Sequence, residues 1–282
     1  MRAVFYGRVG NFGFKPISEV LSGLGYCIEW RDRANTELVE NADIVFSAGL
    51  GNPMGEVYSG YTAKAVPVIV TDAAFIRLPD YFQMGFGLNW LPSWDCEEDR
   101  FLSLGIELKE RSQGECIVIA GQKPDDAQHR ISEDKLTELY QGWVDEIKNH
   151  TDRPIIFRPH PRRPTMRLEG VSHDVPTDKK RGGLDQLLLN AHCLIAYNST
   201  ACTDALIAGV PFYSHSSQAQ ALSNGLDFSS IETPWFPDDH ARLAHLNRVA
   251  HAQWKESEIS DNVLRRYLYA AQCWRGAQKV NF

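Results

Sequence analysis

Pro154-Ile-Ile-Phe-Arg-Pro-His-Pro-Arg-Arg163 decides how the rest of the chain is read. Ile155–Phe157 is a short apolar run of the kind that makes a buried parallel strand. Pro159 ends it, because proline has no N–H for a sheet ladder and pushes the preceding residue out of the helical region. Beyond that strand's carboxyl end come His160, set between two prolines, and the guanidinium groups of Arg158, Arg162 and Arg163. Open α/β sheets bind ligands beyond the carboxyl ends of their strands. A histidine held among arginines there suits a phosphate or a nucleotide ribose; the plainer alternative is a solvated basic turn.

Outward from this segment, strands alternate with helices in both directions. Towards the N-terminus the expected strands are Ala3–Tyr6, Tyr26–Trp30, Asn41–Ser47, Val66–Thr71 and Tyr81–Phe86, with a helix over Lys15–Leu24 closed by Gly25. Such spacing implies βαβ units and a mostly parallel, buried sheet. Asn89–Arg111, with Trp90, Pro92, Trp94 and the acidic run Glu97–Asp99, reads as a connection. A second series follows: strand Cys116–Ala120, helix Asp134–Asn149, strand Ile155–Phe157, helix Leu184–Asn190, strand Cys193–Tyr197, helix Thr203–Ala208 and strand Pro211–Tyr213. The tail reads as helical. Leu243, Leu246, Val249, Ala250 and Trp254 recur at helical spacing, as do Val263, Leu264, Tyr267, Leu268, Ala271 and Trp274; both stripes are expected as packing faces.

Composition narrows the classes. The chain has 282 residues, 43% hydrophobic and 23% charged, as in soluble globular proteins. No apolar run approaches the ~18–20 residues of a membrane span. The chain enters its first strand with no signal-peptide layout, so a cytoplasmic location is expected. The six cysteines are scattered, with no CxxC pair. Cys27, Cys116 and Cys193 lie in apolar runs and are expected as reduced core thiols, with no zinc site. A net charge of −7 argues against a main task of gripping nucleic acid.

In a parallel second sheet, three loops share one edge. Gly121-Gln-Lys-Pro-Asp-Asp126 follows the first strand, Arg158-Pro-His-Pro161 the second, and Asn198-Ser-Thr200 the third. Ser199, Thr200 and the N–H groups of the helix they open form an anion site by residue type and helix dipole; N-capping by Asn198 or Ser199 is the alternative. Asp125 and Asp126 beside Gln122 and Lys123 place paired carboxylates where they can act as base, nucleophile or cation partner; a surface Pro-Asp-Asp turn is the alternative.

Together these loops resemble the capsule-polysaccharide synthesis glycosyltransferases, in particular bacterial β-Kdo transferases. That family has a Gly-Gln-x-x-Asp-Asp segment, a Pro-His-Pro motif and a Ser/Thr helix start followed by Ala-Leu-x-x-Gly-x-Pro. The matches are Gly121-Gln122 with Asp125-Asp126, then Pro159-His160-Pro161, then Ser199-Thr200 with Ala205-Leu206 and Gly209-Val-Pro211. The resemblance covers about residues 116–215. Two departures stand out. Pro211–Tyr213 runs into Ser214-His-Ser-Ser, not the family's Gly-Trp-Gly, so sugar recognition is not carried across. The chain is also shorter than the two-module capsule enzymes and is similar to compact single-module relatives from bacteria and phage.

The resemblance implies a GT-B fold: two Rossmann-like domains flanking the active site, an N-terminal one over 1–110 for the acceptor, a nucleotide-donor domain over 111–262, and a helix over 263–282 crossing back to the first. It implies a metal-independent glycosyltransferase whose nucleotide-sugar, CMP-activated by family likeness, is a substrate, with no cofactor. Asp126 would be the catalytic carboxylate, with Asp125 as second choice and Gln122 orienting the sugar. Gly121, Lys123, Arg158, His160, Pro161, Arg162, Asn198, Ser199 and Thr200 would bind the nucleotide. The acceptor would be a hydroxyl, on a surface glycan or, as a rival reading, on a hydroxylated base of phage DNA. The rival outside enzymes is a non-catalytic nucleotide-sugar binding protein.

Overall fold

The computed structural model describes residues 1–94, 96, 99–176 and 183–280; Glu97 and Glu98 of the acidic run lie outside these. In chain order the elements are β1 (Arg2–Tyr6), α1 (Phe14–Gly23), β2 (Cys27–Arg31), β3 (Ile44–Ala48), α2 (Met54–Thr62), β4 (Val68–Ala73), β5 (Tyr81–Gly85) and α3 (Arg100–Ser103). Then come β6 (Cys116–Ala120), α4 (Glu133–Ile147), β7 (Ile155–Arg158), β8 (Ser172–His173), α5 (Leu184–Leu188), β9 (Ala191–Ala196), α6 (Ala201–Ile207) and β10 (Phe212–Ser214). α7 (Asp239–Ala250), β11 (Gln253–Lys255) and α8 (Asp261–Val280) complete the chain. They form two compact units, Met1–Cys96 with Arg248–Phe282, and Glu97–Asn247.

The first unit holds a six-stranded sheet in the order β11-β5-β4-β3-β1-β2. β1 to β4 are mutually parallel, while β5 is antiparallel to β4 and to β11. Alternation along the strands serves two cores. Phe5, Phe46, Ile69 and Met84 face α1 and α8 with Phe14, Ile17, Leu264 and Tyr267, whereas Val4, Tyr6, Val45 and Val68 face α2 with Val57 and Tyr61.

The second unit's sheet, β10-β9-β6-β7-β8, is wholly parallel. Again one strand feeds both layers. Ile117 and Ile119 face Leu136, Tyr140 and Val144 of α4, and Cys116, Val118 and Ala120 face Leu184, Cys202 and Leu206. Gly209 closes α6 at φ 76°, and a Cβ there would lie 1.8 Å from the Glu110 carbonyl oxygen. This is why only glycine fits between α6 and the connecting segment.

Three readings need correction. The structure divides after Cys96 and before Arg248, not at 110 and 262. Residues 99–112 are bound to the second unit: the Phe101 N–H donates to Asn247 Oδ1 (2.8 Å), the Lys109 N–H to the Ile207 carbonyl (2.9 Å) and the Ser112 N–H to the Gly209 carbonyl (2.7 Å). Residues 253–255 join the first sheet, pairing with 81–83, so Trp254 is a strand residue and its apolar stripe ends with α7. Cys27 is exposed, because β2 is an edge strand, whereas Cys116, Cys193 and Cys202 are buried.

Candidate functional site

The second sheet has a switch point between β6 and β9. β6 is its first strand, with β7 and β8 on one side and β9 and β10 on the other. The chain leaving β6 runs to α4 on one face, and that leaving β9 runs to α6 on the other. Diverging connections open a crevice at the carboxyl ends of the two strands, the usual ligand position of such sheets.

Gln122 spans that crevice. Set so that its neighbours are satisfied, its amide oxygen accepts from the Ser199 N–H at 2.9 Å and the Asn198 N–H at 3.3 Å. The Gln122 backbone N–H donates to the Tyr140 hydroxyl (2.9 Å), and the Gly121 N–H to the Arg158 carbonyl (2.8 Å). The first and third loops are thus joined by a buried side chain; Gln122 is 9% exposed and Asn198 7%. The amide oxygen expected to orient a sugar is engaged here, which makes Gln122 a strap between loops.

The carboxylates sit in a tight turn. The His129 and Arg130 N–H groups donate to the Asp126 carbonyl at 3.2 and 2.8 Å, and Asp125, at φ 53°, donates its N–H to the Ile131 carbonyl at 2.8 Å. Asp125 points to solvent. Asp126 is half-buried, accepts from the Gln128 N–H at 3.2 Å and lies 3.8 Å from Lys123 Nζ. Of the pair, Asp126 is the one held in place.

On the middle loop, the His160 Nδ1 accepts from the Arg162 N–H at 3.1 Å and its carbonyl from the Arg163 N–H at 2.7 Å. These two bonds and the flanking prolines fix a half-buried ring whose Nε2 lies opposite the engaged nitrogen. Pro161 is half-buried beside it, and Arg162 and Arg163 are exposed, Arg163 lying 3.9 Å from Glu133. Arg158 differs from the reading of a ligand-facing cation. It is 7% exposed and ion-paired with Asp174, because a charge brought inside needs a partner.

Ser199 and Thr200 do open a helix, yet its first N–H groups are engaged. The Ser199 Oγ accepts from the Ala201 N–H at 3.1 Å, the Ser199 carbonyl from Cys202 at 3.1 Å and the Thr200 carbonyl from Thr203 at 2.9 Å. The Ser199 side chain takes one of these groups and main-chain carbonyls the other two; a ligand would meet the half-buried Ser199 and Thr200 from outside.

Sequence reasoning missed a cluster of rings beside this crevice. Tyr197, just past β9, stacks on His215 with centroids 4.5 Å apart and planes 8° from parallel, and His129 meets Tyr197 edge-on at 5.7 Å. Burial holds the His129 imidazole below the usual histidine range, against the raising effect of Asp126. The only signal was indirect: His215 lies where the chain departs from the family's Gly-Trp-Gly. Among the described residues no group of three or more His, Cys, Asp or Glu side chains is placed to hold a metal ion, and no helix is long and apolar enough to cross a membrane.

No family model matches the sequence, and no curated protein matches it significantly. Solved structures do. The chain is similar to Thermosulfurimonas dismutans KpsC, beta Kdo 2,4 transferase, at 15% identity over 90% of this chain and 91% of that one, with a TM-score of 0.57. It is also similar to the beta Kdo 2,7 transferase of the same organism's KpsC, at 12% identity over 89% and 91%, with a TM-score of 0.50. At such identities the likeness establishes the fold. The chain has a GT-B-like α/β fold, and the likeness read from three motifs in residues 116–215 extends over nearly all of it.

Proposed function

We propose that this protein is a glycosyltransferase that moves a sugar from a nucleotide-activated donor to a hydroxyl acceptor. The observation that carries this reading is the meeting of three loops at one edge of the second sheet, where Gln122 joins the Ser199 loop and the loops of Asp126 and His160 follow the neighbouring strands β6 and β7. The donor's nucleotide phosphate would lie against His160, Arg162, Ser199 and Thr200, and the family likeness favours CMP as the nucleotide. Lys123 and Arg162 would offset the charge of the leaving nucleotide in place of a divalent ion, as preorganised donors do at developing charges. No resident cofactor is needed, since the nucleotide-sugar is consumed.

In the reaction Asp126 takes the proton of the acceptor hydroxyl while the hydroxyl oxygen forms the new bond to the anomeric carbon. The bond from that carbon to the nucleotide phosphate oxygen breaks, and the electron pair leaves with the nucleotide. The first unit would supply the acceptor contacts, with a surface glycan favoured by the likeness to capsule enzymes. Calorimetric titration with CMP tests the donor half. Loss of a hydrogen bond to a charged group costs about 1.5–3 kcal/mol, so His160→Ala should weaken CMP by roughly 10- to 150-fold. Equal affinity in a folded variant would remove His160 from the site.

A further inference from the structure

The ring pair Tyr197–His215 is bound into the crevice by the backbone. The His215 and Ser216 N–H groups both donate to the Tyr197 carbonyl at 3.0 Å, and the Ser214 Oγ donates to the same oxygen at 3.3 Å. Behind these bonds, the Ser217 N–H donates to the Ser214 Oγ at 3.0 Å. Three donors converging on one carbonyl fix the carboxyl ends of β9 and β10 together, so the rings, 4.5 Å apart, stand on main chain that is held in place. Tyr197 packs on the α4-side core through its inner part. His215 is exposed, and its ring makes no hydrogen bond among the described residues. With Tyr197 covering one face of the imidazole, the open surface is a flat, preorganised ring face. It stands one residue beyond β10, beside the Asn198–Thr200 loop that follows Tyr197 directly.

We infer that His215, backed by Tyr197, is the stacking platform for the nucleobase of the donor. This rests on the nucleotide-sugar reading and adds the group that holds the base. Planar bases stack on aromatic faces whatever their hydrogen-bonding edges, and a platform already fixed by the backbone loses little freedom on binding. The placement also separates tasks along the edge: His160 and the Ser199 loop take the phosphate, and His215 takes the ring at the other end of the nucleotide.

The test compares CMP with ribose 5-phosphate, which lacks the base, by calorimetric titration of wild type, His215→Ala and His215→Phe. His215 is exposed, so both variants should fold; circular dichroism and thermal melting check this. Removing a stacking ring costs roughly 5- to 150-fold per base. His215→Ala should therefore weaken CMP by at least about fivefold and leave ribose 5-phosphate unchanged, and His215→Phe should restore CMP binding. In wild type the H5 and H6 protons of bound CMP should shift upfield through the ring current, a shift lost in His215→Ala. Unchanged CMP affinity in His215→Ala, or an equal fall for ribose 5-phosphate, overturns the platform and leaves the nucleotide reading intact. If wild type binds none of CMP, UMP, AMP or GMP, both readings fall together.

Discussion

The two units solve the same topological problem in opposite ways. In each, the sheet's first strand has neighbours on both sides, so its carboxyl end is a switch point. In the second unit that edge is tied across: Gln122 bridges to Ser199, Tyr197 accepts from three donors, and Arg158 is paired with Asp174. In the first unit the corresponding loops meet other segments through the Gly7 N–H to the Arg31 carbonyl (2.9 Å), the Gly49 N–H to the Thr71 carbonyl (2.8 Å) and the Gly13 N–H to Glu256 Oε1 (3.2 Å), and their remaining bonds are internal. The Arg8 N–H donates to Asn11 Oδ1 at 2.5 Å, the Ser47 Oγ donates to the Gly49 carbonyl at 2.8 Å, and Val9 and Phe12 stand about half exposed. Bonds between loops fix distances that a ligand must match, while bonds inside loops leave those distances free to adjust. The contrast is one of kind: a buried amide side chain joins two loops at the second edge, whereas the first is held at its strand ends by main chain and at Gly13 by an acidic side chain from outside the loop.

The sharpest break of this comparison is at the reacting group. Asp126→Asn removes the proton acceptor and keeps the shape of the turn. Single-turnover rates should fall by about 10²–10⁴, the usual worth of a positioned general base, with CMP affinity nearly unchanged. A near-normal rate would move the role to Asp125.

Next in size is the strap. Gln122→Ala leaves the Ser199 and Asn198 N–H groups without their partner, and losing a buried hydrogen-bond partner costs about 1–3 kcal/mol. Urea denaturation should register this, and CMP affinity should drop with it because the two phosphate-facing loops lose their register. Lower stability with unaltered CMP affinity would mean that the tie is structural and the ligand lies elsewhere.

Most of the scaffold was legible because its signals are local. Cys116–Ala120 reads as a strand from five buried residues in a row, and Pro159 ends β7 by its own covalent chemistry. α4 reads from Leu136, Tyr140, Val144 and Ile147, which all turn inward. What stayed hidden is non-local. β11 is three residues long and exists because Tyr81–Gln83 offers a free edge, so Trp254 looked like the next turn of a helix. α2, after the glycines and proline of 49–53, has too mixed a pattern to stand out. The candidate site was legible as motifs, but the engagement of Arg158 by Asp174 and the meeting of His129, Tyr197 and His215 depend on residues 16 to 68 positions apart in the sequence and leave no local periodicity.

The second unit should also respond to acid. Burial holds His129, His173 and His192 of the second unit below the usual histidine range. A depressed folded value means that the unfolded chain takes up protons first. Stability from these residues is therefore complete above about pH 6.5, the unfolded value, and is lost as pH falls through the lower folded values. Urea midpoints measured from about pH 7.5 downwards should decline below that point, less steeply in His129→Gln. An unchanged slope in that variant would show that His129 protonates as readily folded as unfolded.

The smallest effect should come from the first edge, and its smallness is what the comparison requires. Asn11 closes the β1–α1 loop by accepting from the Arg8 N–H, and its carbonyl accepts from the Phe14 N–H at 3.0 Å. Only the first bond uses the side chain, it is solvent-exposed, and it lies within one loop. Asn11→Ala should therefore cost about 0.5–1.5 kcal/mol, the net worth of one such hydrogen bond, with the helix start kept by the main-chain bond. CMP affinity should stay at the wild-type value, since nothing in this loop is proposed to touch the nucleotide. Equilibrium denaturation and calorimetry on the same preparation check both parts. A loss of CMP affinity as large as that of Gln122→Ala would place the donor at the first edge, and the division of labour between the two switch points would have to be reversed.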